Sequence, residues 1–416
     1  MYYYRYGETV FASLLPDLPL EAADRPSAGT PSLFLIDRDP IAGRSSFCVS
    51  DPRQLTAKAE DVSWLDPSRM GVAAPALPKR IQRTIDARLL RAVNIRHPRW
   101  ADFAAAPDIQ PPGRRRINLL AVGDVGGTLL TALKLLGGDC IESIGICDLN
   151  QKAVARWMAE MGQVSWPWDY DALPEVEPVA AEDLFRCDVF LFAATRGVPP
   201  VGGGVRDVRM AQFSANRPLV EQYARQARQA GFRGLFIVLS DPVDPLCKAA
   251  YLASNQGPDG QWDGLGLRAE QIQGFGLGVM NARAAYYAKQ DPRFRSFLTD
   301  GRSYGPHGQG LVIANSLTYY DDGLSRELTD LVTTANLRIR ELGFKPYVAP
   351  AISSGAMQLL LTLRRGWHCS SVAVGDVWFG VRNRLTAAGL EIETASLPAP
   401  LFDRLRETQT LLREII

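Results

Sequence analysis

One stretch of the chain, residues 117–148, restricts the possible fold more than any other. It reads INLLAVGDVGGTLLTALKLLGGDCIESIGICD: an apolar run, a glycine-rich turn, leucines at helical spacing, and a second apolar run closed by an acid. Apolar runs of this length are typical of buried parallel strands, and the leucine spacing predicts a helix directly after the turn. The stretch therefore predicts a strand–helix–strand unit whose helix begins at glycines.

A turn of this kind is suited to binding a dinucleotide. Glycines let the backbone approach a ligand closely, and the free N–H groups at the start of a helix attract a pyrophosphate. Asp148 follows the glycines by roughly 20 residues, where a carboxylate can accept hydrogen bonds from a ribose and would repel a 2′-phosphate, which favours NAD over NADP. The pattern G-x-G-x-x-G lacks its first glycine, which is Ala121 here, so an ordinary strand-to-helix turn is the alternative. The residues that we expect to bind the cofactor are Gly123, Asp124, Val125, Gly126, Gly127 and Asp148, with Ala194 and Ser240 at the ends of neighbouring strands.

Composition and charge exclude several classes of protein. The 416 residues are enough for two or three domains, and a hydrophobic content of 46% with 22% charged residues is typical of a soluble globular protein. A net charge of +1 gives no electrostatic reason to expect binding to nucleic acid or to an anionic membrane. The six cysteines form no C-x-x-C pair, and no run resembles a membrane span or a signal peptide. We therefore predict a cytoplasmic protein whose cysteines are small buried hydrophobic residues.

The chain divides best at a basic segment rich in proline, residues 107–116. We predict a small α+β extension of unknown role at 1–106, an NAD-binding domain at 117–270 and a catalytic, substrate-binding domain at 271–416. The extension would cap the main domain or build a subunit contact. Within it, 31–37 and 45–50 resemble strands, and 78–94 has a helical pattern. The arginines of that pattern are expected on a solvated face: Arg80, Arg83, Arg88 and Arg91.

Strand and helix patterns alternate over residues 117–253, which favours a parallel sheet with right-handed crossovers. Further strands are predicted at 188–194 and 234–240, and further helices at 151–163 and 218–230. Ligands bind beyond the carboxyl ends of such strands, which brings the turn at 123–127, the loop at 195–209 and the turn at 240–244 around one crevice. The predicted fold class is α/β, with a Rossmann-type parallel sheet followed by an α+β domain.

Several motifs occur in a fixed order after the extension. GDVGGT is followed by the acid after the second strand, a Gly/Pro-rich loop with arginines, SDPVD, GLGVMNAR and finally GPHG. Each motif is weak evidence alone, but their order over residues 117–416 resembles the lactate/malate dehydrogenase family. The resemblance is to a divergent branch that carries its own N-terminal extension.

The resemblance implies hydride transfer between nicotinamide and the carbon that bears a substrate hydroxyl, in a homodimer or homotetramer. His307 of GPHG matches the family's acid/base histidine. Arg283 of GLGVMNAR matches the arginine that grips the substrate carboxylate. Arg209 matches the arginine of a mobile loop that polarises the ketone, and Asn216 lies in the next helix at the family's spacing. Arg206 competes with Arg209 or binds a second acidic group.

Two departures from the family concern the catalytic centre. Met280 replaces the aspartate that orients the histidine, so His307 loses the partner that would fix its tautomer and stabilise its charged form. Asp241 replaces an asparagine, and one hypothesis is that this acid now pairs with His307 or with a cationic substrate group such as an amine. Lys345 and Ser353 fall where the family's second domain lines the substrate pocket.

Three functions follow from these residues. The first is an NAD-dependent oxidoreductase acting on a small 2-hydroxy or 2-oxo carboxylate. The second is an imine- or amino-acid-directed dehydrogenase that uses Asp241, and the third is a non-catalytic NAD(H)-binding regulatory protein with residues 1–106 as its interaction module. The glycines at 202–204 replace the side chains that usually choose between lactate and malate, so the substrate is not predicted. No metal-ligand spacing and no phosphate-binding G-K-[ST] motif occur, so no metal is expected.

Overall fold

A computed structural model describes residues 1–26, 32–105, 113–196 and 208–416. Within these ranges there is a six-stranded sheet near the N-terminus, a nine-stranded sheet formed by the rest of the chain, and a short two-stranded sheet. The nine-stranded sheet carries the candidate site at one of its ends.

The N-terminal sheet is mixed and has the order β3-β1-β2-β4-β6-β5. Its central pairs, β2 with β4 and β4 with β6, are parallel, and the outer pairs are antiparallel. The unit is therefore an α+β structure, as its strand and helix patterns indicated. Its elements are β1 (Tyr2–Tyr6), β2 (Thr9–Ser13), β3 (Glu21–Ala22), β4 (Leu33–Ile36), β5 (Ser46–Cys48), α1 (Lys79–Asp86), β6 (Arg91–Asn94) and α2 (Trp100–Ala105).

The helix expected over 78–94 is shorter than predicted. It ends at Asp86, Arg88 has a positive φ of 60°, and the chain continues as the buried strand β6. Pairing with β4 and β5 decides this conformation, because such long-range contacts override local helix propensity. The prediction that the arginines of this pattern lie on a solvated face was also wrong for two of them. Arg91 is buried and donates to the carbonyl of Ala387, and Arg88 forms an ion pair with Glu391, so both bind the extension to the C-terminal part of the chain.

The first six strands of the large sheet have the order β9-β8-β7-β10-β11-β12, and all of their pairs are parallel. Numbered within this half, that is the order 3-2-1-4-5-6 of dinucleotide-binding doubly wound folds, which confirms the predicted fold class. The elements are β7 (Arg115–Leu120), α3 (Asp124–Leu136), β8 (Ile141–Cys147), α4 (Gln151–Met161), β9 (Glu175–Pro178), β10 (Val189–Phe192), α5 (Val208–Gln229), β11 (Leu235–Val238), α6 (Val243–Ser254) and β12 (Ile272–Gly274).

The C-terminal residues extend the same sheet with three antiparallel strands, β15 to β17. The hydrogen-bonded sheet thus crosses the boundary that the sequence placed between residues 270 and 271; the domain limits stay a prediction. The elements of this part are α7 (Leu277–Gln290), α8 (Phe297–Asp300), β13 (Arg302–Tyr304), β14 (Val312–Ala314), α9 (Asp322–Glu341), a π-helix (Pro350–Ala356), α10 (Met357–Leu363), β15 (His368–Val374), β16 (Val377–Thr386), β17 (Gly389–Ile392) and α11 (Ala399–Ile415).

The central strands are buried on both faces, which explains their continuous apolar sequences. In β10, Val189 and Leu191 belong to the hydrophobic cluster on one face, whereas Phe190 and Phe192 belong to the cluster on the other. No helix among the described residues is long and apolar enough to cross a membrane. All six cysteines are free, and Cys48, Cys140 and Cys247 are buried while the other three are partly exposed.

Candidate active site

The turn between β7 and α3 uses its glycines in two ways. A Cβ on Gly123, the N-cap of α3, would meet nothing within 4 Å, so the face above it is open to a ligand. A Cβ on Gly126 would lie 2.0 Å from the carbonyl oxygen of Ala121, and one on Gly127 would lie 2.1 Å from the indole of Trp157. Gly123 therefore permits ligand approach, and the other two permit close packing of the helix.

Ala121, at the position of the missing first glycine, has a backbone conformation that favours glycine. Ala121 has a φ of +74°, in the left-handed region that costs a residue with a side chain about 1–2 kcal/mol. Two neighbouring bonds hold this conformation: Trp157 Nε1 donates to the carbonyl of Val122 at 2.9 Å, and Ala121 N donates to the carbonyl of Cys147 at 2.8 Å. The turn is thus retained at a cost in strain.

Asp148 directly follows β8, and its carboxylate points toward the glycine-rich turn. Its Oδ2 accepts from Val122 N at 2.9 Å and its Oδ1 from Asn150 N at 2.8 Å. An ionised carboxylate offers about four acceptor positions, so about two remain for a ligand. Asp148 lines the same cleft as Gly123, and its position fits ribose recognition.

An ion pair joins the start of α3 to the segment after α9. Lys345 Nζ lies 3.0 Å from Oδ2 of Asp124, and both side chains are largely exposed. Exposed ion pairs contribute little to the free energy of unfolding. This one matters because it lies beside the expected cofactor site. The carboxylate of Asp124 stands beside the expected pyrophosphate position, and the Lys345 ammonium offsets its charge. Lys345, expected in the substrate pocket, thus lies beside the cofactor turn.

Two polar side chains tie the loops at the carboxyl ends of β10 and β11. Asn216 is buried; its Oδ1 accepts from Arg196 N at 2.9 Å and its Nδ2 donates to the carbonyl of Asp241 at 2.8 Å. Ser240 Oγ donates to the carbonyl of Ala194 at 2.6 Å. Both side chains hold the loops together from behind the cleft, which is a positioning role.

The arginine loop itself lies outside the described residues from 197 to 207, and this range includes Arg206 and the glycines at 202–204. Arg209 belongs to the first turn of α5, but its side chain is also outside what the structure describes. The roles of both arginines therefore stay predictions.

His307 lies in the GPHG loop between β13 and β14 and lines the cleft. Its Nδ1 is 2.9 Å from the carbonyl oxygen of Gly276, which can only accept, so Nδ1 carries the proton. Its Nε2 makes no hydrogen bond with the described residues. The approach is close: a Cβ on Gly276 would lie 2.6 Å from the Cβ of His307. The ring is thus oriented by a backbone carbonyl, with Nε2 left to act on a substrate.

Met280, at the position of the family's aspartate, is buried in a hydrophobic cluster. The Gly276 carbonyl that takes over its orienting role is itself anchored, because Ser354 Oγ donates to it at 2.7 Å and accepts from Val279 N at 2.8 Å. A carbonyl fixes the ring and its tautomer, but it lacks the full negative charge of a carboxylate.

Arg283 projects from α7 into the same cleft. Its Nη1 donates to the carbonyl of Val332 at 3.3 Å, which leaves most of its five donors available to a ligand. Burial lowers the pKa of the guanidinium, and the nearby Tyr287 and Asp241 act in the opposite direction. The arginine is therefore a half-buried cation with room for a carboxylate.

The structure does not show the hypothetical pairing of Asp241 with His307. Among the described residues the exposed Asp241 carboxylate makes no hydrogen bond and no ion pair, and Nδ1 of His307 is already bonded to the carbonyl of Gly276. The acid that contacts the histidine loop is Asp244, which is buried and accepts from His307 N at 3.2 Å. Burial raises the pKa of this carboxyl group.

Asp244, Gly276 and Ser354 are the site residues that the sequence did not reveal. Asp244 could have been found, because it ends the SDPVD motif whose first acid was singled out. The role of Gly276 belongs to a main-chain oxygen, which has no residue signature. Ser353 was expected at the site; its carbonyl accepts from Gln358 Nε2 at 2.7 Å, and the neighbouring Ser354 lines the cleft.

Most of the predicted cofactor and substrate residues that the structure describes line one cleft of about 1220 Å³; four that do not line it are Gly127, Asn216, Ser240 and Ser353. Small-molecule sites usually measure roughly 300–1,000 Å³, so this cleft has room for a dinucleotide and a substrate together. The described residues contain no group of three His, Cys, Asp or Glu side chains placed to hold a metal ion. The wall opposite the glycine-rich turn includes Thr333, Asn336 and Arg340 of α9 and the nearby Tyr347.

Comparison with known proteins gives partial matches in sequence and longer matches in structure. No family model matches the chain. L-lactate dehydrogenase of Treponema denticola is 24% identical over 205 residues, which are 49% of this chain and 58% of that protein. L-lactate dehydrogenase 1 of Lactobacillus acidophilus is 26% identical over 141 residues, or 34% of this chain and 40% of that protein. The matches thus span about half the length of these relatives.

Two solved structures share the fold over most of their length. The minor L-lactate dehydrogenase of Enterococcus mundtii has a TM-score of 0.57 and 18% identity, covering 73% of this chain and 97% of the other. The malate dehydrogenase of Archaeoglobus fulgidus in complex with NADH has a TM-score of 0.55 and 14% identity, covering 72% and 98%. At such identities these likenesses establish the fold alone. Together, the sequence matches, the shared fold and the ordered motifs agree with the resemblance to a divergent branch of the lactate/malate dehydrogenase family.

Proposed function

We propose that this protein is an NAD-dependent oxidoreductase of the lactate/malate dehydrogenase type, acting on a small 2-hydroxy or 2-oxo carboxylate. The observation that carries the proposal is the place of His307. Its ring is oriented by Gly276, leaves Nε2 available, and shares one cleft with Arg283 and the open face of Gly123.

The residues present fit a nicotinamide dinucleotide. Gly123 leaves open space at the N-terminus of α3, where a pyrophosphate is stabilised, and Asp148 has acceptor positions to spare for a ribose. The Asp148 carboxylate disfavours NADP, because it would repel a 2′-phosphate. When bound, the nicotinamide supplies or accepts the hydride.

The side chains of this protein would manage the proton and the substrate. During ketone reduction a protonated His307 gives the Nε2 proton to the forming hydroxyl, and in the reverse direction Nε2 takes it back. The Arg283 fork holds the substrate carboxylate by two parallel bonds and so places the reacting carbon. The Arg209 side chain is proposed to polarise the ketone oxygen.

The test is NADH oxidation over a panel of 2-oxo acids, measured with and without ammonia. We expect turnover with at least one acid, and His307→Gln should lower kcat about 10²–10⁴-fold while NADH binding persists. Arg338→Ala, an exposed change on α9, is the control and should leave the rate unchanged. Binding of NADH without turnover on any acid would instead support the regulatory protein with residues 1–106 as its interaction module.

The imine- or amino-acid-directed dehydrogenase is supported by one observation. Asp241 lines the cleft, and its exposed carboxylate has no partner among the described residues, so it could hold a substrate amine. Asp241→Asn restores the amide found in the family at this position. If the amine is the true substrate group, this variant loses ammonia-dependent turnover and keeps or gains ketone reduction; equal loss of both would argue against the assignment.

Three further expectations accompany the proposal. Residues 1–106 form an extension, 117–270 the NAD-binding domain and 271–416 the catalytic domain. The family resemblance implies a cytoplasmic homodimer or homotetramer, which sedimentation of the purified chain would test. A monomer at micromolar concentration would contradict the oligomer.

A further inference from the structure

A second cleft lies at the end of the nine-stranded sheet opposite to the glycine-rich turn. It is formed where the strands β10, β11 and β12 begin, and helix α2 of the N-terminal unit closes its side. Its volume is about 450 Å³. Small-molecule sites usually span roughly 300–1,000 Å³, so the cleft is large enough for a small organic ligand. None of the residues that line it belongs to the candidate active site.

Arg268 brings a buried positive charge to this cleft. Only 8% of the residue is exposed, and its guanidinium lies 4.8 Å from the ring centroid of Phe103. Its Nε donates to Gln271 Oε1 at 3.3 Å, and its Nη1 is 3.8 Å from Glu270 Oε1, beyond hydrogen-bond distance. No carboxylate of the described residues lies closer. A buried cation without a hydrogen-bonded acid favours an external anion.

Glu270 cannot move easily to satisfy Arg268, because its carboxylate holds the N-terminal unit. Oε1 accepts from Ser45 Oγ at 2.6 Å and from Ser46 Oγ at 3.0 Å, and Oε2 accepts from Ser45 N at 3.2 Å. Turning toward the arginine would break these bonds. The charge of Arg268 is therefore left only partly compensated by the protein.

Two other guanidiniums increase the positive charge at this site. Arg233 is exposed and makes no hydrogen bond or ion pair with the described residues. Arg99 donates to the carbonyl of Gly266 at 3.3 Å and to Asp102 at 3.1 Å, so it is largely satisfied. Burial lowers the pKa of Arg268, the charge of Glu270 opposes this, and Arg99 and Arg233 lower it further. An anion between Arg268 and Arg233 would relieve this repulsion.

The remaining wall is mostly apolar, and the carboxylate of Asp188, which also lines it, is engaged by the protein: its Oδ2 accepts from Arg116 N at 2.9 Å, and its Oδ1 lies 3.9 Å from Arg115 Nη1. The rings of Phe185 and Phe232 are 5.4 Å apart and meet at 57°, and Phe103 lies on the side of α2. Burial raises the pKa of the Cys187 thiol to about 12, so it stays neutral and adds no competing negative charge. Such a wall suits the flat body of an organic molecule.

We propose that this second cleft binds a small organic anion. Its oxyanion group, a carboxylate or a phosphate, pairs with Arg268 and Arg233, and its flat apolar body lies against Phe103, Phe185 and Phe232. The proposal does not depend on the proposed function, because the cofactor and substrate residues lie at the other end of the sheet.

The test is calorimetric titration of the full chain, first without NADH and then with an excess of it, with benzoate and with phenyl phosphate. We expect saturable binding at one site per chain, and the tighter of the two probes identifies the oxyanion as carboxylate or phosphate. Arg233→Ala should weaken that binding about tenfold, the effect expected for losing one charge-assisted hydrogen bond. The matched control, Arg338→Ala, removes an exposed arginine far along the chain on α9 and should leave binding unchanged.

The exposed Arg233 is the decisive position, because Arg268→Met removes a buried group and could impair folding. NADH affinity measured on Arg233→Ala separates the two sites and should equal that of the wild type. Failure of both probes to bind saturably, or equal binding by wild type and Arg233→Ala, would overturn the proposal. Inorganic phosphate that binds as tightly as phenyl phosphate would show that the aromatic wall contributes nothing, and would overturn the organic ligand.

Discussion

The glycine-rich turn departs from the family pattern at Ala121, and the partner of the histidine departs from it at Met280, but these two departures have different consequences. At the turn, Ala121 adopts a left-handed conformation that a glycine would adopt without strain, so the turn forms at a cost in strain. At the histidine, Met280 cannot imitate a carboxylate, and the orienting role has passed to the carbonyl of Gly276. A requirement for backbone shape can thus be met by a strained residue, whereas a requirement for a charged acceptor needs a new partner.

The largest effect is expected for Met280→Asp, which returns the family's residue to the histidine site. Removing a buried methionine costs about 2–5 kcal/mol in the free energy of unfolding. The new carboxylate would also bind Arg283, whose Nη1 lies 3.6 Å from the present Met280 sulfur, and so occupy the substrate clamp. We expect a lower Tm and a higher KM for the carboxylate substrate. Met280→Leu keeps the volume and is the control; a rise in kcat for the aspartate variant would show that the carbonyl is a poor substitute.

Gly276→Ala tests the new partner directly. Its Cβ would lie 2.6 Å from the Cβ of His307, so the ring must shift. A displacement of about 1 Å in a catalytic group can cost about 10²-fold in rate, and we expect this loss in kcat with little change in NADH affinity. Ser354→Ala is a milder companion, since it removes only the hydroxyl that anchors the Gly276 carbonyl. If the kcat of Gly276→Ala equals that of the wild type, the Gly276 carbonyl is not required to orient His307 for catalysis.

Lys345→Met tests the ion pair beside the glycine-rich turn. If the Lys345 ammonium offsets Asp124 beside the pyrophosphate, its loss weakens NADH binding by about fivefold or less, since exposed ion pairs are worth little. Titration of NADH by fluorescence measures the effect. The double variant with Asp124→Asn should recover most of the affinity, because both charges are then gone. If the variant changes only the KM for the substrate, Lys345 contacts the substrate, as the sequence predicted, and not the cofactor.

The smallest effect is expected for Ala121→Gly, which restores the family's glycine. Relief of left-handed strain gains about 1–2 kcal/mol, and the more flexible unfolded chain takes back about 0.4–1 kcal/mol. Thermal unfolding should therefore show a slight rise in Tm, with NADH affinity unchanged. A clear gain in NADH affinity would mean that the strain at Ala121 distorts the turn, and the two departures would then be more alike than the structure indicates.

Local patterns predicted most of the parallel part of the nine-stranded sheet. Apolar runs, glycines and helical leucines lie within a few residues of one another, so they indicated β7, α3 and β8 in the correct order. They failed where distant residues decide the conformation. The strand Arg91–Asn94 is formed by pairing with β4 and β5, and the antiparallel extension of the sheet after β12 has no local signature.

The candidate site shows the same limit. The sequence predicted roles for His307, Arg283 and Asp148 from the chemistry of their side chains, and the structure places the three in one cleft. The Gly276 carbonyl was not found, because every residue has a carbonyl and only the folded chain selects one. The pairing of Asp241 with His307 was one hypothesis, and the described residues show no such contact; the contacts of this side chain depend on where the backbone of the turn points, which the sequence does not indicate.

The pairing between β12 and β15 is the narrowest connection in the nine-stranded sheet. The parallel and antiparallel parts are paired there through one register position, Gly274 opposite Ser371. A Cβ on Gly274 would lie 2.5 Å from Val243 and 2.9 Å from the sulfur of Cys247. The backbone pairing between the two parts is limited to this position, and side chains of α6 pack closely against Gly274, which has no side chain of its own. Even a methyl group at Gly274 would therefore force α6 and the sheet apart. This position is only two residues before the Gly276 carbonyl that orients His307.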